Sequence, residues 1–235
     1  MCNLQQNDMG IKLAISGASG KTGYRVAEEA LKEGNQVRLL LRPNSLLPDN
    51  LSQCDLRRLS LADETALDEA LKGCDALVLA TGARPSADLT GPARVDALGV
   101  RQQIASCKRV GVKRVVLVSS LCAGRWLHPL NLFGLILVWK RLGEQALEQS
   151  GLDWTVIRPG GLNDREENLE KEGILYTGAD CQEDARIPRR LVARCCIEAL
   201  KTPSSIGRII EVTSDPDLKR ITMQQALKNI NALAS

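Results

Sequence analysis

The sequence predicts an α/β fold: a doubly wound parallel sheet with helices on both faces. Two observations carry that prediction. Short apolar runs alternate in regular order with amphipathic stretches of helical period along the 235 residues, and a right-handed parallel sheet is what such alternation builds. The clearest run, Ala76-Leu77-Val78-Leu79-Ala80 after Asp75, is continuously apolar, as a strand buried on both faces requires.

The first run, Leu13 to Ile15, enters a turn with glycines at 17, 20 and 23, followed by a helix carrying Val26, Ala27, Ala30 and Leu31 on one face. Gln36 to Arg42 is the second strand, closed by Pro43, and Asp55 to Leu61 the third. Asp63 to Lys72 is helical, with Leu67, Ala70 and Leu71 inward and Gly73 as its stop, and the strand from Asp75 to Ala83 follows. Ala83 to Pro92 reads as loop, Ala93 to Val110 as helix, and Lys113 to Ser120 as the fifth strand. Arg125 to Leu135 is irregular and leads into a helix from Leu137 to Gln149. Gly151 to Leu162 is a sixth strand ending in a proline-glycine turn. Gly161 to Arg186, highly charged and aperiodic, is expected to fold over the open end of the cleft, with a short strand at Ile174 to Tyr176. Pro188 to Lys201 is a helix, Arg208 to Thr213 a last strand, and Thr222 to Leu233 a terminal helix whose Thr222 and Gln225 match a capping box. One domain over 11–235 follows, with a flexible tail over 1–10 and a small substrate or lid region around 125–138 and 161–186.

The glycine turn carries chemistry. Where a strand passes through a turn into a helix, the first helical amides and the positive dipole end face outward and favour an anion such as a diphosphate. The spacing Gly-x-x-Gly-x-x-Gly is a variant of the dinucleotide fingerprint. In it Gly17 makes the turn, Gly20 lets backbone approach phosphate, and Gly23 lets helix pack on strand. A Walker loop is excluded, because Gly17 to Lys21 lacks its spacing. About 20 residues on, where an acid would take the ribose 2′-hydroxyl of NAD, the strand ends in Arg42. A guanidinium there grips a 2′-phosphate with paired charge-assisted bonds, so the expected cofactor is NADP(H). Thr81 with Gly82, and Ser119, end strands on the same rim.

Bulk properties narrow the class. With 31 basic and 28 acidic side chains the net charge is +3, and only 3% of residues are aromatic, so no nucleic-acid partner is expected. Cysteines stand at 2, 54, 74, 107, 122, 181, 195 and 196 without pairing motifs and read as reduced thiols of a cytosol-like compartment. With His128 the sole histidine, no metal site is expected. The most apolar stretch, Leu130 to Trp139, is far shorter than the roughly 20 residues of a membrane span. Met1 to Gly10 has neither a secretory core nor transit-peptide character. The expected location is cytoplasmic, or the plastid stroma if a transit peptide has been removed.

Taken together, Gly17 to Gly23, Gly73 to Gly82, Gly111 to Ser120, Val138-Trp139-Lys140 and Ser150 to Gly161 resemble the atypical short-chain dehydrogenases/reductases. The likeness is to their small NAD(P)H-binding, NmrA-like and Tic62-related branch of Rossmann proteins, and it spans about 11–213. The resemblance implies that Ser19, Lys21 and Thr22 touch the phosphates, Arg42 the 2′-phosphate and Leu61 the adenine. It places Thr81 and Gly82 at the adenosine-side ribose and Ser119 and Lys140, the catalytic candidates, at the nicotinamide ribose. Pro159, Gly160, Gly161 and Leu162 would wall the nicotinamide. The chain departs from the family at Leu59 and Ser60, where Gly-Asp is usual, and at Leu191, where Asp is usual.

One departure bears on mechanism. If Lys140 is the lysine of the family's Tyr-x-x-x-Lys, the tyrosine position holds Ile136, and a hydrocarbon cannot act as a general acid. Reduction of an electron-poor, conjugated apolar acceptor such as a flavin, quinone or tetrapyrrole needs no such acid. The leading expectation is therefore an NADPH-dependent oxidoreductase acting on an acceptor between the nicotinamide and the Arg125 to Trp139 segment. The alternative is a catalytically silent NADP(H)-binding redox sensor that docks a protein partner. Epimerase action on a nucleotide sugar also relies on the missing tyrosine. His128, Tyr176 and Cys122 are lesser candidates for proton transfer or redox chemistry, each more simply read as a structural residue.

Overall fold

The computed structural model describes residues 10–82, 90–125, 127–133 and 135–234. The chain runs β1 (Lys12–Ser16), α1 (Lys21–Lys32), β2 (Gln36–Leu41), β3 (Asp55–Arg58), α2 (Glu64–Leu71) and β4 (Ala76–Leu79). A π-helical turn, Ala93–Leu98, then leads into α3 (Gly99–Val110), followed by β5 (Arg114–Val118), α4 (Ile136–Glu148) and β6 (Asp153–Pro159). The remainder comprises β7 (Gly161–Asn163), β8 (Gly173–Thr177), β9 (Arg186–Pro188), α5 (Arg189–Leu200), β10 (Arg208–Asp215) and α6 (Met223–Ala234).

The main sheet has eight strands in the order β3-β2-β1-β4-β5-β6-β10-β8. Its pairings are parallel except that β8 runs antiparallel to β10, closing one edge. Successive side chains of a strand face opposite sides. Leu13 and Ile15 therefore pack under α1 and α5 with Val26, Ala27, Val192 and Cys196, while Ala14 turns to α2, α3 and α4 with Leu67, Leu71, Ile104 and Leu147. Each fully buried side chain of this kind contributes about 1.5–3 kcal/mol, so the two apolar layers fix which helix covers which face.

The expected doubly wound sheet is present, with corrections of detail. β3 stops at Arg58 rather than Leu61: its only partner, β2, ends at Leu41, and after Leu59 N–H donates to Leu41 O nothing remains to pair with. The strand expected from Gly151 to Leu162 breaks at Gly160, whose N–H turns to Val212 O, and β7 pairs separately with β9. The short strand foreseen at Ile174 to Tyr176 extends to Gly173–Thr177 and is the antiparallel edge. Pro188 sits just before α5 as its N-cap. The capping box of α6 is reciprocal: Gln225 N–H donates to Thr222 Oγ1 at 3.2 Å, and Thr222 N–H to Gln225 Oε1 at 2.9 Å. The N-terminal tail up to 9, the loop over 83–89, Trp126 and Gly134 lie outside the described residues.

Candidate functional site

Strand order reverses between β1 and β4, whose chains leave the sheet toward opposite faces, and ligands of such sheets bind in the crevice this leaves at the strands' carboxyl ends. A cleft of about 370 Å³ lies there, lined by Gly17, Ser19, Gly20, Arg42, Leu61, Thr81 and Gly82 together with Ser16, Leu59, Arg94 and Val95. The glycine turn is as tight as its spacing requires. Gly17 has φ +83°, and a Cβ on it would lie 2.7 Å from Ala80 O. A Cβ on Gly23 would lie 2.1 Å from Gly17 O, so helix and turn touch backbone to backbone. Gly20 N–H closes the turn onto Gly17 O at 2.8 Å. Gly20 caps α1 with no side chain, and no acid stands in the helix's first turn. The opening amides of α1 thus have no partner within the helix and an uncompensated positive dipole end.

At the β2 side the cleft is cationic. Arg42 is exposed and its guanidinium makes no ion pair among the described residues, while Arg58 donates to Pro43 O and Ser45 O, each at 2.9 Å, and so fixes the loop that carries it. Among the described residues no Asp or Glu lines the cleft. Leu59 and Leu61 form its apolar wall, with Leu61 against Gly99.

On the β5 side lie two buried hydroxyls, Thr81 Oγ1 and Ser119 Oγ, without a hydrogen-bond partner among the described residues. Buried polar atoms left so are costly unless a ligand or water completes them. Ser119 N–H donates to Ile157 O at 2.8 Å and Leu121 N–H to Pro159 O at 3.0 Å, so the end of β5 and the Pro159 turn form one wall. Pro159 and Gly160 are buried in it, whereas Gly161 and Leu162 are exposed. Lys140 Nζ donates to Asp96 Oδ1 at 2.9 Å and comes within 3.9 Å of where a Gly82 Cβ would stand. These features fit a dinucleotide: uncapped amides for a diphosphate, a cation that meets no acid among the described residues, and buried hydroxyls that none of those residues completes.

Other expected contacts are placed differently. Lys21, expected at the phosphates, donates to Asp164 Oδ2 at 2.5 Å, and Thr22 and Gly23 belong to α1 beneath the cleft lining. The charged segment 164–172 does not span the cleft; its acids seat along α1 and α5. Glu166 pairs with Arg25 at 2.5 Å and Arg190 at 3.0 Å, and Glu170 with Arg194 at 2.5 Å. Tyr176 is buried and donates to Glu198 Oε2 at 3.0 Å; burial, with Cys195 and Glu198 beside it, pushes its pKa up, so it is no acid for the cleft. Cys122 is buried with its thiol pKa raised by burial. His128 stays in the loop before α4, its N–H donating to Arg125 O at 3.3 Å.

Asp96 is the residue that the sequence reading missed. Its signal was an acid on the apolar stripe of Val100, Ile104 and Cys107, where only a paired charge is stable. Arg158 was likewise passed over. It is buried beside Pro159, donates to Glu144 at 2.8 and 2.9 Å and to Asp180 at 3.0 Å, and lies 3.5 Å from Glu211. Burial alone would lower its pKa, but Glu144, Asp180 and Glu211 hold it above the ordinary value. Among the described residues no group of His, Cys, Asp and Glu is arranged to hold a metal ion, and no helix is long and apolar enough to cross a membrane.

Residues 17–203 match the NAD(P)H-binding family. The chain belongs to that family. Relatives of this NAD(P)H-binding protein include an uncharacterized chloroplastic protein of Arabidopsis thaliana, 34% identical over 86% of this chain and 76% of that one. Sanguinarine reductase of Eschscholzia californica is 29% identical, with 96% of this chain and 95% of that one covered. Among solved structures, a short-chain dehydrogenase/reductase of Veillonella parvula in complex with NADP superposes with a TM-score of 0.72. It is 16% identical, covering 89% of this chain and 96% of that one, and shares the fold. The resemblance to atypical short-chain dehydrogenases/reductases therefore holds, and a nicotinamide dinucleotide is the family's ligand.

Proposed function

We propose that the protein is an NADP(H)-dependent oxidoreductase that reduces a conjugated apolar acceptor. The carrying observation is the cleft itself, in which uncapped helix amides meet an Arg42 with no ion pair, and no acid in the lining, among the described residues. NADPH bound there supplies a hydride. The opening amides of α1 and Ser19 hold the diphosphate, Arg42 the 2′-phosphate, and Leu61 packs the adenine. Thr81 lies at the adenosine-side ribose and Ser119 and Lys140 orient the nicotinamide half, with Pro159 and Gly160 behind it excluding water.

Ile136 supports the acceptor class. No phenol stands four residues before Lys140 and Tyr176 is buried against Glu198, which favours chemistry that does not depend on a protein phenol. In the segment before α4, Leu127 is 100% exposed and Leu132 83%, which offers apolar surface to such an acceptor. The relative that reduces sanguinarine supports a reductase role, and the chloroplastic relative supports the plastid location over the cytoplasmic one. The test is NADPH consumption against quinones, flavins and linear tetrapyrroles. Steady turnover with one class is expected; tight NADPH binding without turnover on any of them overturns the enzymatic reading.

The same Ile136 favours a second reading, a silent redox sensor that docks a partner. It requires that NADP+ and NADPH alter partner capture differently, and capture indifferent to nucleotide contradicts it.

A further inference from the structure

We infer that Asp96 is a charge-balancing and positioning residue for Lys140, and that the pair sets how strongly the site prefers oxidised over reduced cofactor. The inference rests on the proposed placement of the nicotinamide ribose at Ser119 and Lys140. Asp96 is 4% exposed, and the Lys140 side chain 15%. A carboxylate so buried is tolerated only when paired, and Lys140 Nζ at 2.9 Å is such a partner.

The backbone is built to bring the two together. Asp96 lies in the π-helical turn before α3, a distortion that recurs at functional sites. Gly143, three residues after Lys140 on α4, meets that turn directly: a Cβ there would lie 2.2 Å from Asp96 O. Residues three apart on a helix share a face, so the close approach at Gly143 delivers Lys140 to the Asp96 carboxylate and the rim at Gly82.

The chemical consequence follows from charge. The oxidised nicotinamide ring is cationic and the reduced ring neutral. A lone lysine at this end would oppose only the oxidised form; paired with Asp96 it adds no net charge, yet still offers hydrogen bonds to ribose hydroxyls. A single unit charge several ångström away in a half-solvated cleft corresponds to about a tenfold change in affinity.

The experiment is titration of the full chain with NADP+ and with NADPH, with thermal melts to confirm folding. Asp96→Asn should raise the ratio Kd(NADP+)/Kd(NADPH) about tenfold, Lys140→Met should lower it, and the double variant should return it to within about twofold of the unmodified protein. A purely structural Asp96 would weaken both nucleotides in parallel and leave the ratio unmoved, which overturns the inference. Should Asp96→Asn fail to fold, the ratio in Lys140→Met decides: lowered supports the inference, unchanged overturns it. If the unmodified protein binds neither nucleotide, the proposed cofactor site itself fails and the inference falls with it; binding with an unmoved ratio removes the inference alone.

Discussion

Ser119 and Thr81 each bury a hydroxyl with no hydrogen-bond partner among the described residues, and natural structures rarely leave such atoms orphaned without a use. Ser119→Ala should accordingly leave the melting temperature unchanged or slightly raised, because no internal bond is lost. It should weaken NADPH binding by roughly 1 kcal/mol, about fivefold, the net worth of one hydrogen bond. Thermal denaturation and titration of the same variant check both halves; a large loss of stability would assign the hydroxyl a structural role instead. Whether a residue's role was legible in the sequence depended on how local its partner is. The turn formed by Gly17, Gly20 and Gly23 and the place of Arg42 at the cleft were legible because turn geometry and strand-end position are fixed by neighbours in sequence. Asp96 did not, since its partner Lys140 is 44 residues away, and Lys21 was assigned to phosphate because Asp164, 143 residues away, gave no sign of reaching it.

Among the elements, helices and buried strands were legible because each carries a full period of apolar residues. β7 and β9, of three residues each, and the antiparallel direction of β8 were not, because so short a pairing is decided by tertiary contacts. The segment 164–172 was recognised as charged but misplaced, its position being set by cations of α1 and α5. Lys21 holds the Asp164 carboxyl below the usual carboxylate range, with Arg189 also contributing, and Arg194 does the same for Glu170. For carboxyls with depressed folded pKa, the stabilisation is present at neutral pH and is lost as pH falls through those depressed values, beneath the ordinary carboxylate range. Exposed pairs are also screened by salt, with a Debye length of about 3 Å at 1 M. Hydrogen exchange over 164–172 should therefore quicken in 1 M NaCl while β1, β4 and β5 stay protected. Unchanged exchange would mean that packing, not charge, seats the segment.

For the molecule as a whole, Arg158 is the fastener between layers. It ties β6 to Glu144 of α4, to Glu211 of β10 and to Asp180, while Glu211 also accepts the backbone N–H groups of Asp180, Cys181 and Gln182 at 2.8, 3.0 and 2.8 Å. Arg158→Met takes the cation from two fully buried glutamates, leaving Glu144 with Arg141 and Glu211 with backbone donors, and should cost about 3–5 kcal/mol in urea unfolding. Because the same side chain backs the Pro159 wall, nucleotide affinity should fall in the fraction that still folds. The parallel architecture, read from strand and helix alternation, thus serves to hold one crevice open at its switch point. Calorimetric titration of the purified chain with NADPH and NADH tests that use most directly. Stoichiometric NADPH binding is expected, at least about tenfold tighter than NADH, with the preference abolished in Arg42→Ala. Equal affinity for the two nucleotides, or binding of neither, would contradict it.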